Sequence, residues 1–387
     1  RFVDTFDRDP TPRERWRLER EAVTDSRPAK ATEVNAAELH THWTEQLVEL
    51  GIGPGQLERF VTGRIAGRAL TDRDWEIACN GAMKELEETQ SSWRPAELSR
   101  EIARQLPSYT LQNSGEFVDR LEAWTQRTIG EQCVDISRPV PHGDTVRRDG
   151  RPYSEPATDR ALTTTFILEQ EDDLAAWADR RSHLPGTPNT QASSRSDVEL
   201  SGPQAQAAAA VAGDADLVMI VGPAGTGKTT ALSPAVAQLQ ADRRVVFGVA
   251  PSAAAAQVLS SETGVQADTI DKLLYEHQHP DGPTPRFNLP PGSTLIVDEA
   301  GMVSTSHLAH LTILADQKNW RVALVGDPMQ FSAVGRGGMF QHLLNTHGAI
   351  ELDTVRRFHA PWERSASLQL RRGDASIVGV YDGHGRI

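Results

Sequence analysis

The apolar pentapeptide Leu217-Val-Met-Ile-Val221 runs directly into Gly222-Pro223-Ala224-Gly225-Thr226-Gly227-Lys228-Thr229. No other stretch constrains the fold as tightly. Five consecutive apolar residues read as a strand buried on both faces, as in a parallel sheet covered by helices. The octapeptide fills every fixed position of G-x-x-x-x-G-K-[ST], and Thr230-Ala-Leu-Ser continues it as a helix start. Strand, glycine-rich loop and helix, in that order, form the context in which this pattern cradles phosphate. Glycines let backbone N–H groups approach closely, and the helix N-terminus adds a partial positive charge. Lys228 can reach β- and γ-phosphates, and the Thr229 hydroxyl can ligate Mg2+. The whole run from Gly222 to Thr230 is the candidate nucleotide cradle. A glycine-rich turn before an ordinary helix is the plain alternative; the flanking strand and helix argue against it.

The chain has 387 residues, more than one domain by ordinary domain size. A mean hydropathy of −0.44 and 23 prolines imply long polar connections. No apolar run approaches the roughly 18 residues that span a bilayer, so membrane insertion is not expected. No signal peptide is visible, and a cytoplasmic protein is expected. Cys79 and Cys133 form no metal or redox spacing and read as free thiols. The formal charge of −13 argues against a generally adhesive nucleic-acid binder. It leaves room for a local channel, because phosphate contacts need only a few placed donors. The chain opens on Arg1 and ends soon after a helical pattern begins, so both ends read as cut from something longer.

Residues 1–92 read as helical. Leu39, Trp43, Leu47 and Leu50 share one helix face, and Gly51-Ile-Gly-Pro-Gly stops it. His40 and His42 point apart in a helix and read as solvated. Two further helices are expected within 93–132, with Pro95 suited to a first turn. A basic, turn-rich segment, Arg147-Arg-Asp-Gly-Arg-Pro152, precedes a strand at 163–168 and an acidic helix near 169–181. Helices followed by a basic hairpin could make a winged-helix-like module over 93–181; a plain structural linker is the stronger reading, because short helix pairs are common. Residues 182–198 form a polar linker and the main domain boundary.

Beyond it strands and helices alternate, as in an α/β parallel sheet, with strands at 217–221, 245–249, 294–297 and 321–325. In such sheets ligands sit beyond the carboxyl ends of the strands. Leu295-Ile-Val-Asp298-Glu299 ends an apolar strand in two carboxylates, about 70 residues after Lys228. Asp298 is placed to hold the Mg2+ shell, and Glu299 to orient or deprotonate an attacking water. Leu324-Val-Gly-Asp327-Pro-Met-Gln330 ends another strand in a turn. An amide there can bond the γ-phosphate or the attacking water, and so sense whether ATP is intact.

Three motifs in this order and spacing resemble superfamily 1 helicases of the RecD-like branch. Residues 222–229 resemble motif I, Ala250-Pro-Ser252 motif Ia, Asp298-Glu299-Ala motif II and Gly326-Asp-Pro-Met-Gln330 motif III. Leu352-Asp-Thr-Val-Arg-Arg357-Phe resembles motif IV, with Arg357 in the place of the arginine that reaches the γ-phosphate. Leu200-Ser-Gly-Pro-Gln204 resembles the adenine-reading glutamine motif. Upstream words such as Leu39…Trp43…Leu50-Gly51, Arg148-Asp-Gly-Arg and Thr163-Thr-Thr…Glu169 resemble the connecting region of MobF conjugative relaxases of the TraI, TrwC and TraA type. None of the four tyrosines sits in the relaxase context of that family, so the relaxase domain is expected to precede Arg1. Motifs V and VI are expected beyond Ile387.

The resemblance implies a RecA-like ATPase lobe over 199–350 and the start of a second lobe over 351–387. It implies Lys228, Glu299, Gln330 and Arg357 as catalytic residues, Thr229 and Asp298 as Mg2+ ligands, and ATP as cofactor. The implied activity is ATP-driven 5′-to-3′ movement on single-stranded DNA within conjugative transfer machinery. Ser252 and Thr269 fall where the family contacts the DNA backbone; on sequence alone Ser252 serves equally as a helix N-cap. The proline-rich stretch at 276–288 stands where RecD-like helicases carry a strand-separating insertion, and reads as a surface loop. Two rivals remain open. One is a P-loop switch that does not act on nucleic acid; the other is a nucleotide- or DNA-binding pseudo-helicase without efficient turnover.

Overall fold

The computed structural model describes residues 36–49, 68–109, 113–137, 160–183, 186–223, 225–330, 333, 335–352 and 360–386. The chain divides into two compact units, residues 1–69 with 108–110, and residues 70–107 with 111–387. In the first unit, α1 (Ala36–Glu49) is the helix expected there, and Arg68 pairs with Tyr109 in a parallel bridge. Trp43, read as part of an apolar face, is exposed, as is His42. The side chains of Leu39 and His40, and all of Leu50, lie outside the described residues.

The second unit opens with α2 (Asp72–Thr89), α3 (Pro95–Gln105) and α4 (Ser114–Gln132). Helix α2 begins where Asp74 accepts the Thr71 N–H at 2.9 Å and Thr71 accepts the Asp74 N–H in return, a capping box with Asp in the usual Glu place. Trp75, Ala78, Cys79, Ala82, Met83 and Leu86 recur at helical spacing and close on Trp93, Leu98, Ile102 and Ile129. Trp75 stacks on Trp124, ring centroids 6.4 Å apart. Cys79 is buried, and both cysteines are free thiols, as expected.

Strands β1 (Val134–Asp135) and β2 (Leu162–Thr163) form a short antiparallel pair. The basic segment 147–152 lies outside the described residues. The strand expected at 163–168 stops at Thr163; α5 (Thr165–Ser182) takes over. The cause is local. Thr164 stays extended and accepts the Ile167 N–H, and Ile167, Leu174, Trp177 and Ala178 then fall on one buried face. A cap and a 3.6-residue period outweigh the β-propensity of the threonines. Downstream, a 3-10 turn at Thr190–Arg195 buries Ala192 in the core of the domain that follows.

That domain contains α6 (Gly202–Ala212), β3 (Leu217–Val221), α7 (Lys228–Ala241), β4 (Val246–Ala250), α8 (Ala253–Thr263), β5 (Gln266–Thr269) and α9 (Ile270–Gln278). It continues through β6 (Thr294–Val297), α10 (Thr305–Lys318), β7 (Arg321–Gly326), α11 (Met339–His347) and β8 (Ile350–Glu351). The strands lie in the order β5-β4-β6-β7-β3-β8, and every pairing is parallel. Two helices, α12 (Pro361–Arg371) and α13 (Ile377–Gly383), follow.

Both faces of the sheet are covered, and the strand residues alternate between them. Leu217, Met219, Leu295, Val297, Val322 and Leu324 pack with α5, α9, α10 and α11. Val218, Ile220, Ile296, Ala323 and Val325 pack with α6, α7 and α8. This is why four strands were visible as unbroken apolar runs. The edge strands were not: β5 is Gln-Ala-Asp-Thr and β8 has two residues.

Candidate nucleotide site

The carboxyl ends of β3, β6 and β7 form one ledge. Val221 of β3 pairs with Gly326 of β7, and Val297 of β6 pairs with Leu324 of β7. One step further, Gly222 N–H donates to Gly326 O at 3.1 Å, so the phosphate loop starts tied to the end of β7. The loop then turns tightly. The Thr226 hydroxyl donates to Pro223 O at 2.8 Å, and α7 begins at Lys228. Ala224 lies outside the described residues.

Gly227 has φ +80, and a Cβ there would stand 2.4 Å from Gln204 Nε2. Only glycine satisfies both the dihedral and the space. Gln204 is 1% exposed, and both ends of its amide are engaged. Its Nε2 donates to Thr226 O at 3.0 Å, and its Oε1 accepts the Ser201 N–H at 3.0 Å. The side chain that sequence places with adenine recognition braces the phosphate loop from beneath.

The loop and the two carboxylates meet through Lys228. Its Nζ donates to Gly222 O at 3.1 Å and lies 3.9 Å from Glu299 Oε1. Thr229 and Thr230 follow on the first turn of α7, both half-buried. Glu299 has φ +50, a left-handed conformation uncommon outside glycine and often found at functional sites. The turn is held by Glu299 N–H donating to Asp298 Oδ1 at 2.9 Å.

Asp298 is 6% exposed, and its pKa is pushed up to about 6, first by burial and then by the neighbouring Glu299 charge. Among the described residues no cluster of three or more His, Cys, Asp or Glu side chains could hold a metal by itself. One carboxylate and one hydroxyl, Asp298 and Thr229, instead suit a hard cation that shares its other ligands with nucleotide phosphates.

The raised pKa has a direct consequence for stability. The folded state holds this proton to about pH 6, and the unfolded chain releases it near 3.8. The contribution is therefore full below pH 4 and is lost as pH rises through 6. A shift from 3.8 to about 6, at about 1.4 kcal/mol per unit, gives a cost on the order of 3 kcal/mol at pH 8. In metal-free buffer Asp298→Asn is expected to melt above the wild type at pH 8 and together with it at pH 4. Thermal unfolding at the two pH values checks this; equal melting at pH 8 would remove the desolvation argument.

The third element is the turn after β7. Gly301 packs against it so closely that a Cβ would meet Asp327 O at 2.6 Å. The carboxylate pair and this turn are thus in backbone contact. Asp327 Oδ1 accepts the Met329 N–H at 3.0 Å, and Gln330 N–H donates to Asp327 O at 3.2 Å. The Gln330 side chain is half-buried. A residue that sequence reading missed completes the turn: Arg371 of α12 forks onto the Asp327 carboxylate, with Nη2 2.6 Å from Oδ1. No motif marks Arg371, and its partner is 44 positions away. Arg357 lies outside the described residues.

Ser252 and Thr269 stand at the ends of adjacent strands, Thr269 paired in register with Ala250. Both hydroxyls cap helices: Ser252 accepts the Ala255 N–H at 3.2 Å and Thr269 the Lys272 N–H at 3.1 Å. Each keeps its own proton to donate. The stretch 276–288 folds back on the domain. Phe287 is buried, Thr284 N–H donates to Glu276, and His277 meets Phe287 O at 3.0 Å and packs edge-on against Trp320.

Residues 199–387 match the family model described as an AAA domain. The probable conjugal transfer protein TraA of Sinorhizobium fredii is 31% identical over 230 residues, covering 58% of this chain and 20% of that protein. The RecBCD enzyme subunit RecD of Mycolicibacterium smegmatis is 32% identical over 209 residues, covering 45% and 36%. Over residues 199–387 the chain is similar to AAA domains, and it is similar to a RecD helicase subunit. The resemblance to conjugative relaxases is borne out by the first of these relatives, and the nucleotide-binding class by the AAA family match. The chain spans about a fifth of the length of that conjugal transfer relative. Among solved structures, a Pif1 helicase from Candida albicans superposes with a TM-score of 0.36, at 17% identity over 45% of this chain and 44% of that one. No helix among the described residues is long and apolar enough to cross a membrane.

Proposed function

We propose that this chain is the ATP-dependent DNA helicase or translocase module of a conjugative relaxase, coupling ATP hydrolysis to movement on single-stranded DNA. The observation that carries the reading is the meeting of Lys228 with Glu299, beside a buried Asp298, at the end of one parallel sheet. Lys228 and the N–H groups of the loop hold the β- and γ-phosphates, and Thr229 with Asp298 holds the accompanying Mg2+. That ion, when bound, neutralises charge on the phosphate oxygens. Glu299 orients the attacking water and takes its proton. Gln330 senses the γ-phosphate, and Arg357, in the segment 351–387 read as the start of a second lobe, is the arginine that the resemblance assigns to the same phosphate.

Ser252 and Thr269, at neighbouring strand ends, suit sequence-independent contacts to a DNA backbone. The protein works in the cytoplasm beside the transfer machinery. A P-loop switch without nucleic acid would use Ser252 and Thr269 as helix caps alone.

Anisotropy of a labelled oligothymidylate tests the DNA half of the reading. Binding is expected to weaken as salt rises, to change between ADP and a non-hydrolysable ATP analogue, and to drop in Ser252→Ala/Thr269→Val. Equal affinity in all nucleotide states and in the double variant would point to the switch instead.

A further inference from the structure

We propose that Arg371 is a positioning residue for the nucleotide site, acting through Asp327 to hold the turn that presents Gln330. The inference rests on the reading of Gln330 as the γ-phosphate sensor. Asp327 is 3% exposed, and its two oxygens meet donors from two different parts of the chain. From its own turn, Met329 N–H donates to Oδ1 at 3.0 Å. From α12, Arg371 Nε donates to Oδ1 at 3.1 Å and to Oδ2 at 3.2 Å, and Nη2 to Oδ1 at 2.6 Å. One carboxylate therefore holds both the conformation of the turn and the position of α12.

A buried carboxylate needs its cation, because an unpaired charge in that place is costly. The planar fork of arginine fixes orientation as well as charge, which an ammonium group does not. The same turn is anchored from behind, where Asp327 O lies against Gly301 and Gly326 O accepts the Gly222 N–H. Its inner end is thereby tied to the carboxylates and the phosphate loop. Arg371 makes its bond at the outer end, where Met329 is 54% exposed. The loop's own bonds, Lys228 to Gly222 and Gln204 to Thr226, do not involve Arg371. Losing the pair should thus disturb presentation of Gln330 and leave the cradle formed.

The test uses the whole chain and the variants Arg371→Ala, Arg371→Lys and Asp327→Asn. Hydrogen–deuterium exchange of the peptide spanning 326–332 is measured beside affinity for a fluorescent ATP analogue. In Arg371→Ala and Asp327→Asn, exchange of that peptide is expected to rise about tenfold or more, with analogue affinity kept within about threefold. Turnover should fall by about 10²-fold, as for a small misplacement at a reacting centre. Arg371→Lys should recover only part of either loss. Millimolar guanidinium, compared with equal sodium chloride, should restore turnover to Arg371→Ala. Unchanged exchange at 326–332 in Arg371→Ala overturns the proposal whether or not the chain hydrolyses ATP. Raised exchange with turnover intact overturns it too. A wild-type chain that binds no nucleotide defeats the functional reading instead, and the exchange result still decides whether Arg371 holds the turn.

Discussion

Glu299→Gln is expected to lower steady-state ATP turnover by about 10²–10⁴-fold, the usual worth of a positioned general base, while ATP still binds. The geometry explains the split. Glu299 sits on the left-handed turn beside Asp298, with its carboxylate 3.9 Å from the Lys228 ammonium. Gln keeps the size and the backbone preference but cannot take a proton from water. It also removes a negative charge that helps hold the Asp298 pKa up, so the carboxylate proposed to hold Mg2+ ionises more readily. Nucleotide affinity in the presence of Mg2+ should therefore be unchanged or slightly tighter. Single-turnover hydrolysis and equilibrium binding of a fluorescent analogue separate the two effects. Turnover within twofold of wild type would move the base elsewhere.

Lys228→Ala should damage both steps. The ammonium donates to Gly222 O across the loop, and its charge helps keep Asp298 ionised. Removing a charge-assisted hydrogen bond worth about 1.5–3 kcal/mol weakens nucleotide binding by roughly 10- to 150-fold. Turnover should fall further than Glu299→Gln causes, because a phosphate-facing cation is lost along with affinity. Apo stability should change little: Lys228 is on the first turn of α7, and the core residues of that helix, Ala231, Leu232, Ala235 and Leu239, stay packed. Melting curves and nucleotide titrations check both parts. A folded variant with wild-type affinity would contradict the cradle.

Much of this site was legible because its signals are local. The phosphate loop, the Asp298-Glu299 pair and the turn at 327–330 each follow an apolar strand buried on both faces, and such strands leave unbroken runs in the sequence. Their meeting at one sheet edge follows from parallel topology, since all strand ends then point the same way. The edge strands β5 and β8 stayed hidden because an edge needs little apolar surface. The strand expected at 163–168 became helix because one threonine hydroxyl caps Ile167, a bond that composition does not reveal. Gln204 as a brace and Arg371 as a clamp were invisible for a different reason. Each acts through a partner far along the chain, Thr226 for one and Asp327 for the other, and a single sequence carries no trace of such pairing.

The most direct measurement is steady-state ATP hydrolysis by this chain with and without single-stranded DNA, run beside Glu299→Gln. Wild-type hydrolysis should rise with DNA by about 5–150-fold, the span of ordinary coupling between two sites, and the variant should stay flat. Hydrolysis indifferent to DNA, or equal in the two proteins, would contradict the assignment of this domain as a nucleic-acid motor.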